Sequence, residues 1–199
     1  DCSIDRFDEK KIHLMWVGKF DFRKQLPLAL KAIATTKNKH IMLDVYGTGS
    51  EKQVTSAKAL VKTLGIEPQV VLHGMKSNVE VLEVMKSMQI LLFTSVSEDT
   101  STVVLEAISN CLPVVCFDAC GMAVVIDDRV GRKVALSNPT QSVIDLANVL
   151  NELESDRNKL KIMSINCKRR QKDLSWSNKA LYMKNVYSSI LKTKEFGAG

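Results

Sequence analysis

Residues 90–108 read Ile90-Leu91-Leu92-Phe93-Thr94-Ser95-Val96-Ser97-Glu98-Asp99-Thr100-Ser101-Thr102-Val103-Val104-Leu105-Glu106-Ala107-Ile108. Four consecutive apolar residues leave no polar face, so Ile90 to Phe93 reads as a strand buried on both sides. The stretch that follows is small and polar, which suits a loop. Val103, Ala107 and Ile108 then return at helical spacing. The helix leads into Asn110-Cys111-Leu112-Pro113-Val114-Val115, a turn and another apolar run. A buried strand, a polar loop, a helix and a second buried strand form the repeating unit of a parallel sheet.

The same unit recurs outward in both directions. Buried-strand candidates are Ile12 to Val17, Ile41 to Tyr46, Gln69 to His73, Ile90 to Phe93, Pro113 to Phe117 and Lys133 to Leu136. Between them lie helical patterns: Leu26, Leu30 and Ile33; Val54, Ala57, Leu60, Val61 and Leu64; Val79, Leu82 and Met85. The expected fold is therefore α/β, a doubly wound parallel sheet of about six strands with helices on both faces. After Leu136 the pattern is helical only: from Pro139 to about Glu154, on to about Lys172, and a third helix that Ser175 can cap. We expect residues 1–11 to be an entry linker, 12–172 the α/β domain, and 173–199 a C-terminal helix and tail.

At 199 residues with 45% apolar side chains, the chain is long enough for one domain with a proper core. Its five cysteines are odd in number, form no Cys-x-x-Cys pair and mostly have apolar neighbours, so we expect reduced thiols in a cytoplasmic protein. No apolar run approaches the roughly 18 residues of a membrane span, and no apolar signal region opens the sequence. The net charge of +6 is uneven: residues 156–199 hold eleven Lys or Arg against three acids. Such an end suits peripheral contact with an anionic membrane face, and equally the solvated faces of ordinary helices. The histidines, His13, His40 and His73, are scattered without ligand spacing and no Asp-x-Asp occurs, so no metal site is expected.

In this architecture ligands bind beyond the carboxyl ends of the strands, where helix N-termini offer N–H groups to phosphate. Gly18-Lys19-Phe20-Asp21-Phe22-Arg23-Lys24 follows the first strand, and its Lys19 and Lys24 can neutralise a diphosphate. A basic loop with a glycine turn explains that segment as well. Tyr46-Gly47-Thr48-Gly49-Ser50 is half of a dinucleotide fingerprint in the wrong place, or a tight turn capped by Ser50. After the fourth strand, Glu98 projects from the loop and Glu106 rides the helix, while residues 100–103 offer backbone N–H groups. Two carboxylates flanking an anion pocket suit a ligand with sugars on either side of phosphate, because carboxylates accept bonds from hydroxyls.

Taken in order, VGKFDFRK, VYGTGSE, VVLHG, SEDTSTVVLEAISNCLPVV and LSWSNKALYMKNVYSSIL resemble the C-terminal, donor-binding domain of a GT-B glycosyltransferase, most closely the retaining enzymes of glycosyltransferase family 4. The resemblance spans about residues 12–192. It implies a Rossmann-like half of a GT-B fold that binds a nucleotide sugar and, in the whole protein, transfers the sugar to a hydroxyl acceptor with retention. It assigns Gly18, Lys19 and Lys24 to the donor diphosphate, and Glu98 to the donor sugar, as the catalytic-site residue. Thr102 and Val103 would meet the phosphates, Glu106 the ribose hydroxyls, and Gly74 and Met75 the base. The helix with Trp176 resembles one that crosses back to the other domain. No cofactor or metal is implied, since the diphosphate is stabilised by cations and N–H groups.

This chain departs from the family at Lys19 for the usual Arg, at Asp99-Thr100 after the first glutamate, at Cys111 and Cys120 for glycines, and at Val124 for an acid. The N-terminal acceptor domain is absent from the 199 residues, so the fragment is expected to bind a nucleotide sugar and not to turn over. The implied pathway is polysaccharide or glycolipid synthesis at the cytoplasmic face of a membrane, with no nucleic-acid partner. Two other readings stand: a non-catalytic interaction module of the same fold, and a nucleotide-sugar epimerase. A dinucleotide oxidoreductase fits less well, because the first strand lacks the glycine fingerprint.

Overall fold

The computed structural model, which describes residues 3–99 and 101–195 without the side chains of 192–195, folds into a sheet of six parallel strands. The strands are β1 (Ile12–Val17), β2 (Ile41–Tyr46), β3 (Val70–Gly74), β4 (Ile90–Phe93), β5 (Val114–Phe117) and β6 (Gly131–Val134). Helices α1 (Leu26–Thr36), α2 (Glu51–Thr63), α3 (Asn78–Met85), α4 (Thr102–Ser109) and α5 (Met122–Val125) connect them in turn. Helices α6 (Pro139–Ser155), α7 (Arg157–Asp173) and α8 (Trp176–Glu195) complete the chain. The sheet order is β3-β2-β1-β4-β5-β6. The chain thus steps outward from β1 to β3, returns to lay β4 beside β1, and steps outward again. The reversal between β1 and β4 opens a crevice at their carboxyl ends.

Each face of the sheet carries its own core. On one, Leu14, Trp16, Leu43, Leu92 and Phe117 pack with Leu30 of α1 and Leu146 and Leu150 of α6. On the other, Met15, Leu91, Phe93 and Cys116 pack with Met85 of α3, Ile108 of α4 and Cys167 of α7. Burying one large side chain of this kind is worth about 1.5–3 kcal/mol. Local chemistry starts the helices. Ser50 with Gln53 and Ser77 with Glu80 form capping boxes, Asn138 caps α6 with Pro139 behind it, and Asp156 caps α7.

The α/β class, the strand count and the helical C-terminal end match the sequence expectation. The bounds of β6 do not: the strand is Gly131–Val134, two residues earlier than expected, and Leu136 lies beyond it, exposed. Backbone approach fixes this register. Gly131 pairs with Val114, and a Cβ on Gly131 would come within 2.0 Å of the Val114 carbonyl oxygen.

Residues 3–11, expected as a polar linker, contain a 3-10 turn, Asp5–Asp8, with Arg6 and Phe7 buried. The Arg6 guanidinium donates to the carbonyls of Lys86 and Cys111, each at 2.5 Å, and burial pulls its pKa down to about 10. The expectation of uniformly reduced cysteines is also corrected. Cys111 is disulfide-bonded, while Cys116, Cys120 and Cys167 are free. Burial pushes the Cys116 and Cys167 thiols up to about 12. Cys2 and residues 196–199 lie outside the described residues. No helix among the described residues is long and apolar enough to cross a membrane.

Candidate functional site

The crevice between β1 and β4 is closed at its base by hydrogen bonds between the two following loops. Thr94, at the end of β4, donates to the Lys24 carbonyl at 2.8 Å and accepts the Trp16 indole N–H at 3.0 Å. The Val96 N–H donates to the Arg23 carbonyl at 2.9 Å. Asp21 draws the first loop tight by accepting the N–H groups of Arg23 and Lys24. These bonds bring Lys24 onto Glu98: Nζ stands 2.5 Å from Oε1, with only 17% and 15% of the two side chains exposed. The Ser95 hydroxyl donates to the same carboxylate at 3.3 Å, and the Lys24 ammonium sits 5.1 Å from the Phe93 ring centroid. A pair this shielded from water holds its geometry better than a surface pair does.

Beside it, the loops after β1, β2 and β3 are joined in series. Gly18 N–H donates to the Tyr46 carbonyl, and Gly47 N–H to the Gly74 carbonyl at 2.8 Å. Gly47 has φ 138°, and a Cβ there would lie 1.8 Å from the Gly18 carbonyl oxygen, so only glycine fits. The loops enclose a pocket of about 200 Å³ lined in part by Gly18, Lys19, Tyr46, Thr48, Met75 and Lys76. Small-molecule sites usually measure about 300–1,000 Å³. At about 200 Å³ the pocket is smaller than that range. Lys19 and Lys76 give the pocket a positive rim. Lys76 also pairs with Glu80 at 3.0 Å, and bonds from the Ser77 backbone and hydroxyl, then from Lys76, hold the Glu80 carboxyl down to about 2.

Helix α4 begins at Thr102 and Val103, after Ser101, whose side chain makes no capping bond. Among the described residues, no side chain at Ser101 takes up its first N–H groups, the kind of donors that anions meet at helix starts. Thr100, expected among these donors, lies outside the described residues. Glu106, one turn along, accepts from the Asn78 amide at 3.1 Å, which sets it beside the β3–α3 loop. Asp99 is exposed, while Glu98 turns inward to Lys24. Cys111 and Cys120, where the resemblance has glycines, adopt φ of 58° and 56°. Exposed Val124 gives its carbonyl to Arg170.

The expected residues thus fall into three neighbouring groups: Gly18, Lys19, Gly74 and Met75 around the pocket; Lys24 with Glu98; and Thr102, Val103 and Glu106 on α4. Sequence reasoning missed Lys76 and the ring of Tyr46. A lysine two residues past the strand-ending glycine was the one available signal. It also read His13 and His73 as isolated, whereas both bond Asp44.

The family model of glycosyl transferases group 1 matches residues 3–170. A search of curated proteins returns no significant match. Among solved structures, HepE of Anabaena in complex with UDP is similar, with TM-score 0.76 and 17% identity over 90% of this chain and 49% of that one. The lipopolysaccharide outer core galactosyltransferase WaaB has TM-score 0.73 and 23% identity over 93% of this chain and 50% of its own. The C-terminal domain of the group 1 family protein LpcC from Francisella tularensis has TM-score 0.68 and 20% identity over 85% of this chain, and 91% of that domain is covered. The chain spans about half the length of HepE and WaaB and nearly all of the LpcC domain. The fold is that of one half of a GT-B glycosyltransferase, and the chain belongs to the glycosyl transferases group 1 family.

Proposed function

We propose that this chain is the donor-binding half of a retaining glycosyltransferase of family 4, which transfers a sugar from a nucleoside-diphosphate sugar to a hydroxyl acceptor in polysaccharide or glycolipid synthesis. The observation that carries it is the shielded Lys24–Glu98 pair, which joins the loops after β1 and β4 at the switch point of the sheet. Chemically the site must stabilise a departing diphosphate. Lys19, Lys24 and the N–H groups of Thr102 and Val103 would take its growing charge, and preorganised donors of this kind do so without a metal. Glu98 would face the donor sugar, Glu106 the ribose, and Gly74 and Met75 the base. HepE has been solved with UDP-glucose, and the pneumococcal transferase GtfA with UDP and GlcNAc; both have this fold. Family membership favours this reading over an epimerase or an oxidoreductase.

The acceptor would bind a second domain, against which α8 packs. Its exposed Trp176, Met183 and Tyr187 share one face of the helix, the kind of apolar surface that marks an interface. The test is a thermal-shift and calorimetric screen of this chain with UDP, GDP and ADP. A specific binder raises the melting temperature by mass action. One nucleotide should stabilise the chain and Glu106→Ala should lose most of that shift. No response to any of the three at millimolar concentration would contradict a donor site built on this half and would favour a non-catalytic interaction module.

A further inference from the structure

Behind the pocket lies a charged group that the proposed chemistry does not use. Asp44, on β2, is 6% exposed. Both its carboxylate oxygens are taken by imidazoles from the flanking strands, His13 Nδ1 at 2.8 Å from β1 and His73 Nε2 at 2.7 Å from β3. Parallel register assembles them. Asp44 pairs with Met15 and Val71, so His13 and His73, each two residues away along its strand, share its face of the sheet. Burying a carboxylate is costly, and an apolar residue would hold a central strand at least as well. The cluster therefore serves something other than the fold.

His73 shows what that is. The β2–β3 register runs Val45 to Leu72 and then slips to Tyr46 with Gly74, which leaves His73 as the extra residue of a bulge. Bulges re-aim side chains, often beside active sites. Here the imidazole falls between Asp44 and Tyr46, with its ring stacked on the Tyr46 ring at 4.4 Å between centroids and 2° between planes. Tyr46 lines the pocket. Gly74, with φ 75°, follows at once, its carbonyl accepts the Gly47 N–H, and Met75 and Lys76 form the next wall. One imidazole thus touches or precedes three parts of the pocket lining.

We propose that Asp44 and His73 are positioning residues for the nucleoside end of the donor pocket. Asp44 fixes the orientation of the His73 ring, and that ring holds Tyr46 and the bulge from which Gly74 to Lys76 depart. His13 satisfies the second carboxylate oxygen. The inference rests on the reading above that the pocket receives a nucleoside diphosphate.

The test compares the parent chain with His73→Ala and His73→Gln. Glutamine restores an N–H donor for Asp44. Calorimetric titration uses UDP, or whichever of the three nucleotides stabilises the parent. His73→Ala should weaken binding about tenfold, and His73→Gln, which keeps a donor to Asp44 but has no ring to stack on Tyr46, should recover part of that loss. Binding by His73→Ala at parental affinity, or a His73→Gln variant as weak as His73→Ala, overturns the proposal. Amide hydrogen exchange needs no ligand. In His73→Ala, exchange at Gly47 should accelerate against an unchanged core, and an unchanged Gly47 rate overturns the proposal whatever the titration gives. A parent chain that binds no nucleotide defeats the donor-site reading, and Gly47 exchange then decides the positioning claim alone.

Discussion

Lys24 and Glu98 pair at 2.5 Å, yet the pair does not exhaust either group. An ammonium has three N–H donors, and the contact with Glu98 uses one. The remaining two can meet a diphosphate while the second oxygen of Glu98 accepts from a sugar hydroxyl. The substitution Glu98→Gln keeps the shape and removes the charge. Lys24 is then released toward phosphate, and a charge-assisted bond to the sugar becomes a neutral one, about half as strong. Affinity for UDP should stay the same or tighten by up to about threefold, while the preference for UDP-glucose over UDP should fall about tenfold, ~1.4 kcal/mol. Calorimetry with the two ligands measures both. Equal loss of affinity for the two would remove the sugar-facing role of Glu98.

At the scale of elements, the turn between β5 and α5 carries a strain that the sequence comparison already marked. Cys120 sits at φ 56°, a region that costs a residue with a Cβ about 1–2 kcal/mol. Glycine pays no such strain but loses more chain entropy on folding. Cys120→Gly should therefore stabilise the chain by about 1 kcal/mol in urea unfolding. A loss of stability would mean that the Cys120 thiol, 4.0 Å from the Val96 carbonyl, holds this turn against the Glu98 loop. Element by element, legibility followed burial. The bounds of β1, β2 and β4 were readable because apolar runs buried on both faces have sharp ends. Edge strand β6 was misplaced because Arg132 and Lys133, half-buried, look like a loop, although Lys133 reaches Asp118 at 2.9 Å and the Ala123 carbonyl. The entry turn was missed because Arg6, a charged residue, is buried against carbonyls. Within the site, Lys19, Lys24, Glu98 and Glu106 were legible from loops that follow strands. The Asp44 cluster was not, because its members stand about thirty residues apart and only strand register joins them.

For the molecule as a whole, the unsettled element is α8. Among the described residues it makes no extensive contact with any other element, and Trp176 is 85% exposed. Trp176, Ala180, Met183, Tyr187 and Ile190 recur at alternating steps of four and three, which puts them along one stripe of the helix. A long stripe of this kind is not stabilised by water, and isolated helices of such length are marginal. We propose that this stripe packs on the acceptor-binding half of a GT-B protein. Since α8 adds little to this domain, a chain ending at Ser175 should melt within about 2 °C of the 199-residue chain, a difference of at most ~1 kcal/mol. Differential scanning calorimetry measures it. In the protein that carries both halves, the same deletion should lower the melting temperature by more than about 5 °C, because there the stripe is buried. A large drop in the isolated chain would make α8 part of this fold, and no drop in the two-domain protein would mean that the stripe faces something other than the acceptor domain.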